Sequence, residues 1–372
     1  MLAGTFAALL VFSWQSLLVS RVHNGNPTIL FCTGSTVEVP ADAAAGLARS
    51  SDARGYDGQF YRLIARDPVF ARGWQRYVDD PRLRYRRILV PSAAFVLALG
   101  QDAWIDGAYV ACILFSIFLG VYWTGRWFTR QGRSGALGLT FLLVPATLTS
   151  MDRMLVDGPL CALFAGYALR IAEKRPAWGI VTCAPLVRET GVFLAIASFH
   201  AEIRLGNWRR ALIVGLTQIP ALCWFAFVQA NTPPSGASEI FSRPAIGQIE
   251  RLLSPRSYPF PRASELLFQT VDVLAVGSLI ASVAFGIWLL VRLKGTLFTC
   301  CGLFALLGIA LGGSTHLAEA YGFSRPVSPL LLVLLMQGLL KRNWAMVLAP
   351  LGMTLAVSLS IAYQAVLVLR TL

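Results

Sequence analysis

Charged side chains are scarce in this chain. Only 14% of the residues are charged, compared with about 25% in soluble globular proteins, and 56% are hydrophobic. Apolar runs of about 20 residues, the length that crosses a bilayer as a helix, recur along the sequence. This composition excludes a soluble protein and predicts an integral membrane protein.

Several other features are missing. The alternating strand pattern of a membrane barrel is absent, so the spans are predicted to be helices. No cytoplasmic loop is long enough for a nucleotide-binding domain, and no repeat of fixed period occurs. The seven cysteines form no CxxC pair, and His316 has no partner at the spacing of metal ligands. Neither a metal site nor a cofactor is predicted.

The charged residues that are present are mostly basic, and the net charge of the chain is +13. The arginines and lysines occupy short loops between apolar spans, which the positive-inside rule places in the cytoplasm. We therefore expect membrane lipid, and anionic lipid in particular, as the partner of these residues, and we do not expect nucleic acid.

The order of polar and apolar segments predicts one transmembrane domain that covers all 372 residues. It is all-α, a polytopic helical bundle of about 10–12 apolar passes, and its first span, residues 1–20, is not cleaved. Residues 21–88 form a first external, periplasmic loop with short interfacial helices at 41–48 and 58–66. Residues 231–264 form a second external loop.

One apolar segment, residues 178–203, has basic residues at both ends. A single crossing would place one of these basic groups outside, against the positive-inside rule. Two half-spans that meet at Arg188-Glu189-Thr190-Gly191 would keep both groups in the cytoplasm. The sequence thus predicts a break at Arg188 and a charged tip that points toward the outer side.

The first external loop carries one acid among aromatic residues. Its sequence there is Gly55-Tyr56-Asp57-Gly58-Gln59-Phe60-Tyr61-Arg62. The apolar spans that flank the loop would limit water around Asp57, and this favours a carboxylate with a tuned pKa. Such a carboxylate can act as a general base toward an acceptor hydroxyl. An ordinary loop turn is the alternative for an isolated Tyr-Asp-Gly sequence.

Arginines on the same side are candidates for binding a phosphate. Arg188 lies beside Glu189 in an otherwise apolar stretch, where it can clamp a phosphate through two nitrogens or form an ion pair within the bundle. Arg84, Arg86 and Arg87 end the first loop at the depth of the lipid headgroups, and Arg325 lies at a membrane boundary. For these four residues, phosphate binding and simple interfacial anchoring are both open.

Five polar segments follow one another along the chain, namely Tyr56-Asp57-Gly58-Gln59-Phe60-Tyr61, Tyr85-Arg86-Arg87-Ile88-Leu89-Val90-Pro91, Val156-Asp157-Gly158, Arg188-Glu189-Thr190-Gly191 and Tyr321-Gly322-Phe323-Ser324-Arg325-Pro326. Their order resembles that of the GT-C superfamily of membrane glycosyltransferases, which use polyprenyl-phosphate sugars and include enzymes of the protein O-mannosyltransferase and aminoarabinose transferase type. The resemblance implies that Asp57 is the catalytic base, that Asp157 supports the site, and that Arg188 or Arg325 binds the donor phosphate. The other substrate-binding residues that we predict are Tyr56, Gln59, Tyr61, Arg86, Arg87, Glu189 and Tyr321.

The sequence departs from this family in one respect. The paired acids often found in the first loop of such enzymes are absent at Asp57, and the nearest pair is Asp79-Asp80. The active centre is then a single acid, or else it lies at Asp79-Asp80. Because arginine alone can stabilise a lipid monophosphate leaving group, the chemistry requires no metal.

The function implied by the resemblance is that of an inverting glycosyltransferase. It would move a sugar from a polyprenyl-phosphate carrier to a lipid, glycan or protein acceptor at the outer face of a bacterial inner membrane. One alternative is a transporter or flippase of a lipid-linked anion that uses the break at Arg188-Glu189. Another is a non-catalytic, lipid-binding subunit of an envelope assembly.

Overall fold

The computed structural model describes residues 1–234, 245–254, 256–257, 261–311, 317 and 319–371. Within these residues the chain consists of α-helices and short 3-10 helices, without a strand. Residues 235–244, 255 and 258–260 of the predicted second external loop, and His316, lie outside the described residues.

The α-helices follow one another in chain order. The first six are α1 (Leu2–Val22), α2 (Ala41–Ala44), α3 (Gly58–Arg66), α4 (Pro81–Arg86), α5 (Leu89–Leu97) and α6 (Asp102–Arg130). The next six are α7 (Pro145–Arg153), α8 (Asp157–Ala172), α9 (Trp178–Val187), α10 (Val192–Arg204), α11 (Trp208–Leu216) and α12 (Ile219–Asn231). The last six are α13 (Ile246–Leu253), α14 (Arg262–Arg292), α15 (Thr296–Ala310), α16 (Ala320–Lys341), α17 (Trp344–Leu348) and α18 (Leu351–Leu369). The 3-10 helices are Pro27–Phe31, Trp74–Tyr77, Gly135–Leu143 and Glu189–Gly191.

The predicted all-α, polytopic membrane bundle is confirmed. In the described part of the chain, 6 helical segments are long and apolar enough to cross a membrane, namely α1, α6, α11 with α12, α14, α16, and α17 with α18. The helix Gly135–Leu143 and α7 are bent by 65° relative to each other, and the number of spans rises to 7 if this pair is one span. Helices α9 and α15 are also apolar, but they are shorter, with 10 and 15 residues.

Helix α16 occupies the centre of the bundle. In its apolar stretch 83% of the residues are buried, compared with 22% to 39% in the other candidate spans. Ser328 of α16 accepts a hydrogen bond from the backbone N–H of Ala146 at the start of α7. A polar side chain near the beginning of α16 is therefore surrounded by protein, and it has to find its partners there.

Helix α3 forms over the predicted residues 58–66, but all 9 of its residues are buried. A helix lying on the membrane surface, as predicted, would leave its polar side exposed. Instead, Arg62 and Arg66 both pair with Asp106 of α6, at 3.0 and 2.8 Å. Because these pairs satisfy the charges, the polar side of α3 can pack against the bundle together with its apolar side.

The helix break predicted at Arg188 is present. Helix α9 ends at Val187, and Arg188 has an extended backbone before the short 3-10 helix Glu189–Gly191. Gly191 packs so closely on the last turn of α9 that a Cβ atom there would lie 2.2 Å from the carbonyl carbon of Ala184. The chain thus turns back at this point, which only a residue without a side chain allows.

The bundle has two chemically different ends. At one end, Arg130 donates to the carbonyl of Ala172, and Arg133 donates to the carbonyl of Leu340, which brings three basic loops together. We call this the basic end. The beginning of α8 and the tip between α9 and α10 lie at the other end, together with the first loop. We call it the site end.

Candidate functional site

The first residue of the site, Asp57, immediately precedes α3. Gly58 packs against the end of α7 so closely that a Cβ atom would lie 2.1 Å from the carbonyl oxygen of Arg153. The side chain of Asp57 makes no capping hydrogen bond to α3. It is therefore free to turn into the bundle, where it meets residues from distant parts of the chain.

Two arginines hold the Asp57 carboxylate. Arg84 Nη1 lies 2.8 Å from Asp57 Oδ2, and Arg325 Nη1 lies 3.0 Å from the same oxygen. The closest contact of each arginine thus involves Oδ2 and not Oδ1. The other nitrogens of the Arg84 guanidinium, Nε and Nη2, donate to the Asp79 carboxylate at 3.0 and 2.9 Å and hold the side chain in place.

Arg325 connects Asp57 to a second buried acid. Its Nη1 also donates to Asp157 Oδ2 at 3.5 Å, and Asp157 in turn forms an ion pair with Arg188. Asp157 and Arg188 are only 3% and 8% exposed, so neither charge can be hydrated in place of this pairing. The first loop, the start of α8, the tip after α9 and the start of α16 therefore meet in one network.

A second ion pair links the first loop to the tip. Arg87 contacts the Glu189 carboxylate through Nη2 at 2.6 Å and through Nε at 2.9 Å, and such a bidentate pair fixes both side chains. Arg87 Nη1 also donates to the hydroxyl of the fully buried Tyr61 at 2.9 Å. The side chain of Glu189 remains 32% exposed, so this part of the network faces outward.

Aromatic residues form one wall of the network. The Arg153 guanidinium lies 4.4 Å from the ring centres of both Tyr56 and Tyr321, and Arg325 lies 5.0 Å from the Tyr56 ring. The Tyr321 hydroxyl donates to Asp152 Oδ2 at 2.7 Å. These cation–π contacts hold the two guanidinium groups beside the acids with which they also pair, Arg325 with Asp57 and Arg153 with Asp152.

Two predicted substrate-binding residues have their contacts outside this network. The Gln59 side chain accepts from the backbone N–H of Gly34 at 3.0 Å and donates to the Arg54 carbonyl at 2.9 Å, so it holds the loop that precedes Asp57. Arg86 lies over the Phe225 ring of α12 at 5.5 Å. The structure thus gives Gln59 a loop-organising contact and directs Arg86 toward a neighbouring helix.

The acidic pair Asp79-Asp80 has a structural arrangement. Asp80 Oδ1 accepts from the backbone N–H of Leu83 and thereby caps α4, as expected for an aspartate directly before a helix. Asp79 supports Arg84 from the outside, and its side chain is 46% exposed. The network places Asp57, and not this pair, against the other buried charges.

Two residues of the site, Asp152 and Arg153, were not among the predicted site residues. Arg84 was predicted only as one of three arginines that bind phosphate or anchor at the headgroups, and it contacts Asp57. Arg84 belongs to an arginine-rich stretch in which the sequence does not distinguish one cation from its neighbours. Asp152 and Arg153 stand in the turn before Asp157, and their charge at the end of an apolar segment was the only available signal.

The electrostatics of the site favour an ionised Asp57. Burial alone would raise the pKa of Asp57, but the positive charges of Arg84, Arg325 and Arg87 outweigh it and hold the pKa well below its usual value near 3.8. The Nε–H groups of Arg188 and Arg325 are buried and have no hydrogen-bond partner among the described residues. Buried donors normally have hydrogen-bond partners, and a bound anion would accept hydrogen bonds from these two guanidinium groups.

This pKa leads to a prediction for the pH dependence of any reaction in which Asp57 acts as the base. A carboxylate with a lowered pKa keeps its charge as the pH falls, so kcat/KM of the wild type should show no acid limb from Asp57 between about pH 5 and pH 8. In Arg84→Gln the loss of one cation raises the pKa of Asp57, and an acid limb should move toward neutral pH. Arg82→Gln, which changes a cation of α4 that contacts α12 instead, is the control. An unchanged pH profile of kcat/KM in Arg84→Gln would contradict the assignment of Asp57 as the base.

In the described part of the chain, no group of three His, Cys, Asp or Glu side chains is arranged for a metal ion. What the site does contain is a carboxylate held by arginines, further arginine donors that lack partners, and aromatic walls. These groups can accept a proton and bind a phosphate. The chain matches no protein-family model, and no curated protein or solved structure is significantly similar to it.

Proposed function

We propose that the chain is an inverting glycosyltransferase that moves a sugar from a polyprenyl-phosphate carrier to a lipid, glycan or protein acceptor. The observation that carries this proposal is the position of Asp57 between Arg84 and Arg325, with Arg188 behind Asp157. A base and several phosphate-binding cations then lie within one buried network. This is the arrangement that the resemblance to the GT-C superfamily implies for transfer from a lipid phosphate.

The reaction assigns a separate role to each group. Asp57 accepts the proton of the acceptor hydroxyl through Oδ1, while the acceptor oxygen attacks the anomeric carbon of the sugar. The bond from that carbon to the phosphate oxygen breaks on the opposite face, so the configuration inverts. The Nε–H groups of Arg188 and Arg325 would stabilise the negative charge of the departing polyprenyl phosphate.

The low pKa of Asp57 fits this reaction only if the donor changes the surroundings of the carboxylate. In the free protein three cations weaken Asp57 as a base. A donor phosphate competes for the same guanidinium groups, and each arginine that turns to the phosphate makes the carboxylate more basic. Asp57 would thus gain basicity when the donor is bound.

An apolar groove offers a place for the prenyl chain. It has a volume of about 440 Å³, lies next to α5, and is lined mainly by apolar side chains that include Phe95, Val96 and Trp224. Ile88 also lines this groove, and its neighbour Arg87 belongs to the charged network. A lipid tail in the groove would therefore keep its phosphate near the site.

The charge of the two ends supports a site on the outer face. Outside the first loop, most of the arginines and all of the lysines lie in the loops at the basic end. This excess of positive charge favours a cytoplasmic location for the basic end. The site end would then face the periplasm of a bacterial-type inner membrane. Polyprenyl-phosphate sugars presented on that face would reach Asp57 without crossing the bundle.

One observation favours a second function, that of a transporter of a lipid-linked anion. The break between α9 and α10 places Arg188 and Glu189 at the tip of two short helices, a geometry used by transporters at their substrate sites. In that case Arg188→Ala should abolish movement of the anion across the membrane, and this movement should be measurable without any acceptor.

The lipid that co-purifies with the protein tests the proposal. Mass spectrometry of the full chain purified in mild detergent should detect a polyprenyl phosphate or its sugar conjugate. Arg325→Gln should lose it, because one phosphate-binding cation is gone, whereas Asp79→Asn should retain it. Equal amounts of polyprenyl lipid in the wild type and in Arg325→Gln would contradict phosphate binding at this network.

A further inference from the structure

A second cavity opens at the basic end, remote from Asp57. Its volume is about 440 Å³, and it lies between the C-terminal ends of α8 and α10 and the N-terminal ends of α9, α11 and α15. Helix α8 contributes Asp157 to the charged network at one end and Tyr167 to this cavity toward the other. Helix α9 likewise runs from Trp178 at the cavity to the tip at Arg188, so the cavity is distinct from the candidate active site.

The cavity has an excess of positive charge. Lys174 and Arg175, from the loop after α8, and Arg210, in the first turn of α11, line it and are all exposed. Among the described residues that line it, Glu202 is the only acid, and its carboxylate already accepts from Asn207 Nδ2 at 3.1 Å. Three cations against one partly satisfied acid favour an anionic ligand.

The walls of the cavity combine two hydroxyl groups with apolar side chains. Its inner part contains the hydroxyls of Tyr167 and Ser198, which are 2.7 Å apart, beside apolar side chains of which Val181 and Val214 are examples. Trp178 and Leu205 at the cavity are 43% and 71% exposed. Large exposed apolar side chains next to basic residues are typical of the boundary between lipid headgroups and acyl chains.

We propose that this cavity binds the phosphate of an anionic phospholipid headgroup from the leaflet at the basic end. Lys174, Arg175 and Arg210 contact the phosphate, and the apolar walls accept the first carbons of the acyl chains. Free phosphate offers the same charge to the three cations, but it leaves the apolar walls without a ligand. The lipid therefore fits the whole cavity, and it would join the ends of five helices.

The test measures lipid adducts of the purified full chain by native mass spectrometry. Phosphatidylglycerol and phosphatidylcholine with identical acyl chains are added in parallel, and inorganic phosphate is titrated in a third series. Phosphatidylglycerol should bind more tightly than phosphatidylcholine. Arg210→Gln should weaken it about five-fold, the effect of one cation near a membrane surface. Glu202→Gln should strengthen it, because an unfavourable charge is removed.

Arg209→Gln is the matched control. Arg209 is the sequence neighbour of Arg210, but it lies over the Trp208 ring at 5.6 Å and does not line the cavity. A loss of phosphatidylglycerol in Arg210→Gln that is absent in Arg209→Gln supports the site. Equal binding of the two lipids, equal losses in both variants, or Arg210-dependent binding of inorganic phosphate without a preference for phosphatidylglycerol overturns it.

Discussion

Replacing Asp57 by asparagine should reduce sugar transfer by roughly 10²- to 10⁴-fold, the usual contribution of a general base. The amide cannot accept the acceptor proton, and it also leaves Arg84 and Arg325 without their shared carboxylate. Turnover of a polyprenyl-phosphate sugar by the protein in proteoliposomes is the measurement. Asp57→Glu retains the charge and should keep more activity than the asparagine variant.

The control for this prediction is Asp79→Asn. Asp79 also pairs with Arg84, at 2.9 Å, but it stands on the outer side of that arginine. Its substitution perturbs the same cation without removing the proposed base, so activity should largely remain. A severe loss in Asp79→Asn together with retained activity in Asp57→Asn would move the active centre to the Asp79-Asp80 pair.

The second large effect concerns stability and does not depend on any assigned activity. Asp157→Asn should destabilise the protein by about 3–5 kcal/mol, because Arg188 is left as a buried charge without its carboxylate. Thermal unfolding of the purified protein in detergent measures this effect.

The double variant Asp157→Asn/Arg188→Gln provides the control. With both charges removed, no isolated ion remains in that pair, and a large part of the lost stability should return. Arg325 contacts Asp157 more weakly, at 3.5 Å, so recovery should be incomplete. A double variant that is less stable than the single one would show that the pair is not the origin of the effect.

The fold was predictable because apolar segments separated by basic loops recur along the chain. The bilayer requires long apolar helices, and the basic loops indicate how they alternate between the two faces. The same reasoning predicted the break at Arg188, since an unbroken helix would have exposed one basic group to the wrong side. It also identified the residues of α3. It did not predict that Arg62 pairs with Asp106, a residue 44 positions away, and is buried.

The pairing of charges within the site could not be predicted from the sequence. Arg84, Arg86 and Arg87 are close neighbours at the end of α4, yet they contact Asp57, Phe225 and Glu189 respectively. Successive residues of a helix point in directions about 100° apart, so the rotation of this short helix determines which arginine reaches which acid. That rotation is set by tertiary packing, to which a single sequence gives no direct access.

Gln59 illustrates the same limit for a neutral residue. Its position two residues after Asp57 suggested contact with a substrate, but its amide connects Gly34 and Arg54 within the loop. Residues next to a catalytic candidate in sequence are often needed to shape the backbone that holds it. The sequence contains the acid, while the structure identifies the residues that position it.

The fate of the donor lipid tests the proposed function most directly. The full chain is reconstituted with a polyprenyl-phosphate sugar labelled in the sugar, with and without an acceptor extract, and both lipid and sugar are followed by mass spectrometry and NMR. We predict acceptor-dependent release of free polyprenyl phosphate, together with a product of inverted anomeric configuration. Movement of the intact donor across the membrane, with no cleavage of the bond between sugar and phosphate, would contradict the glycosyltransferase and favour the transporter.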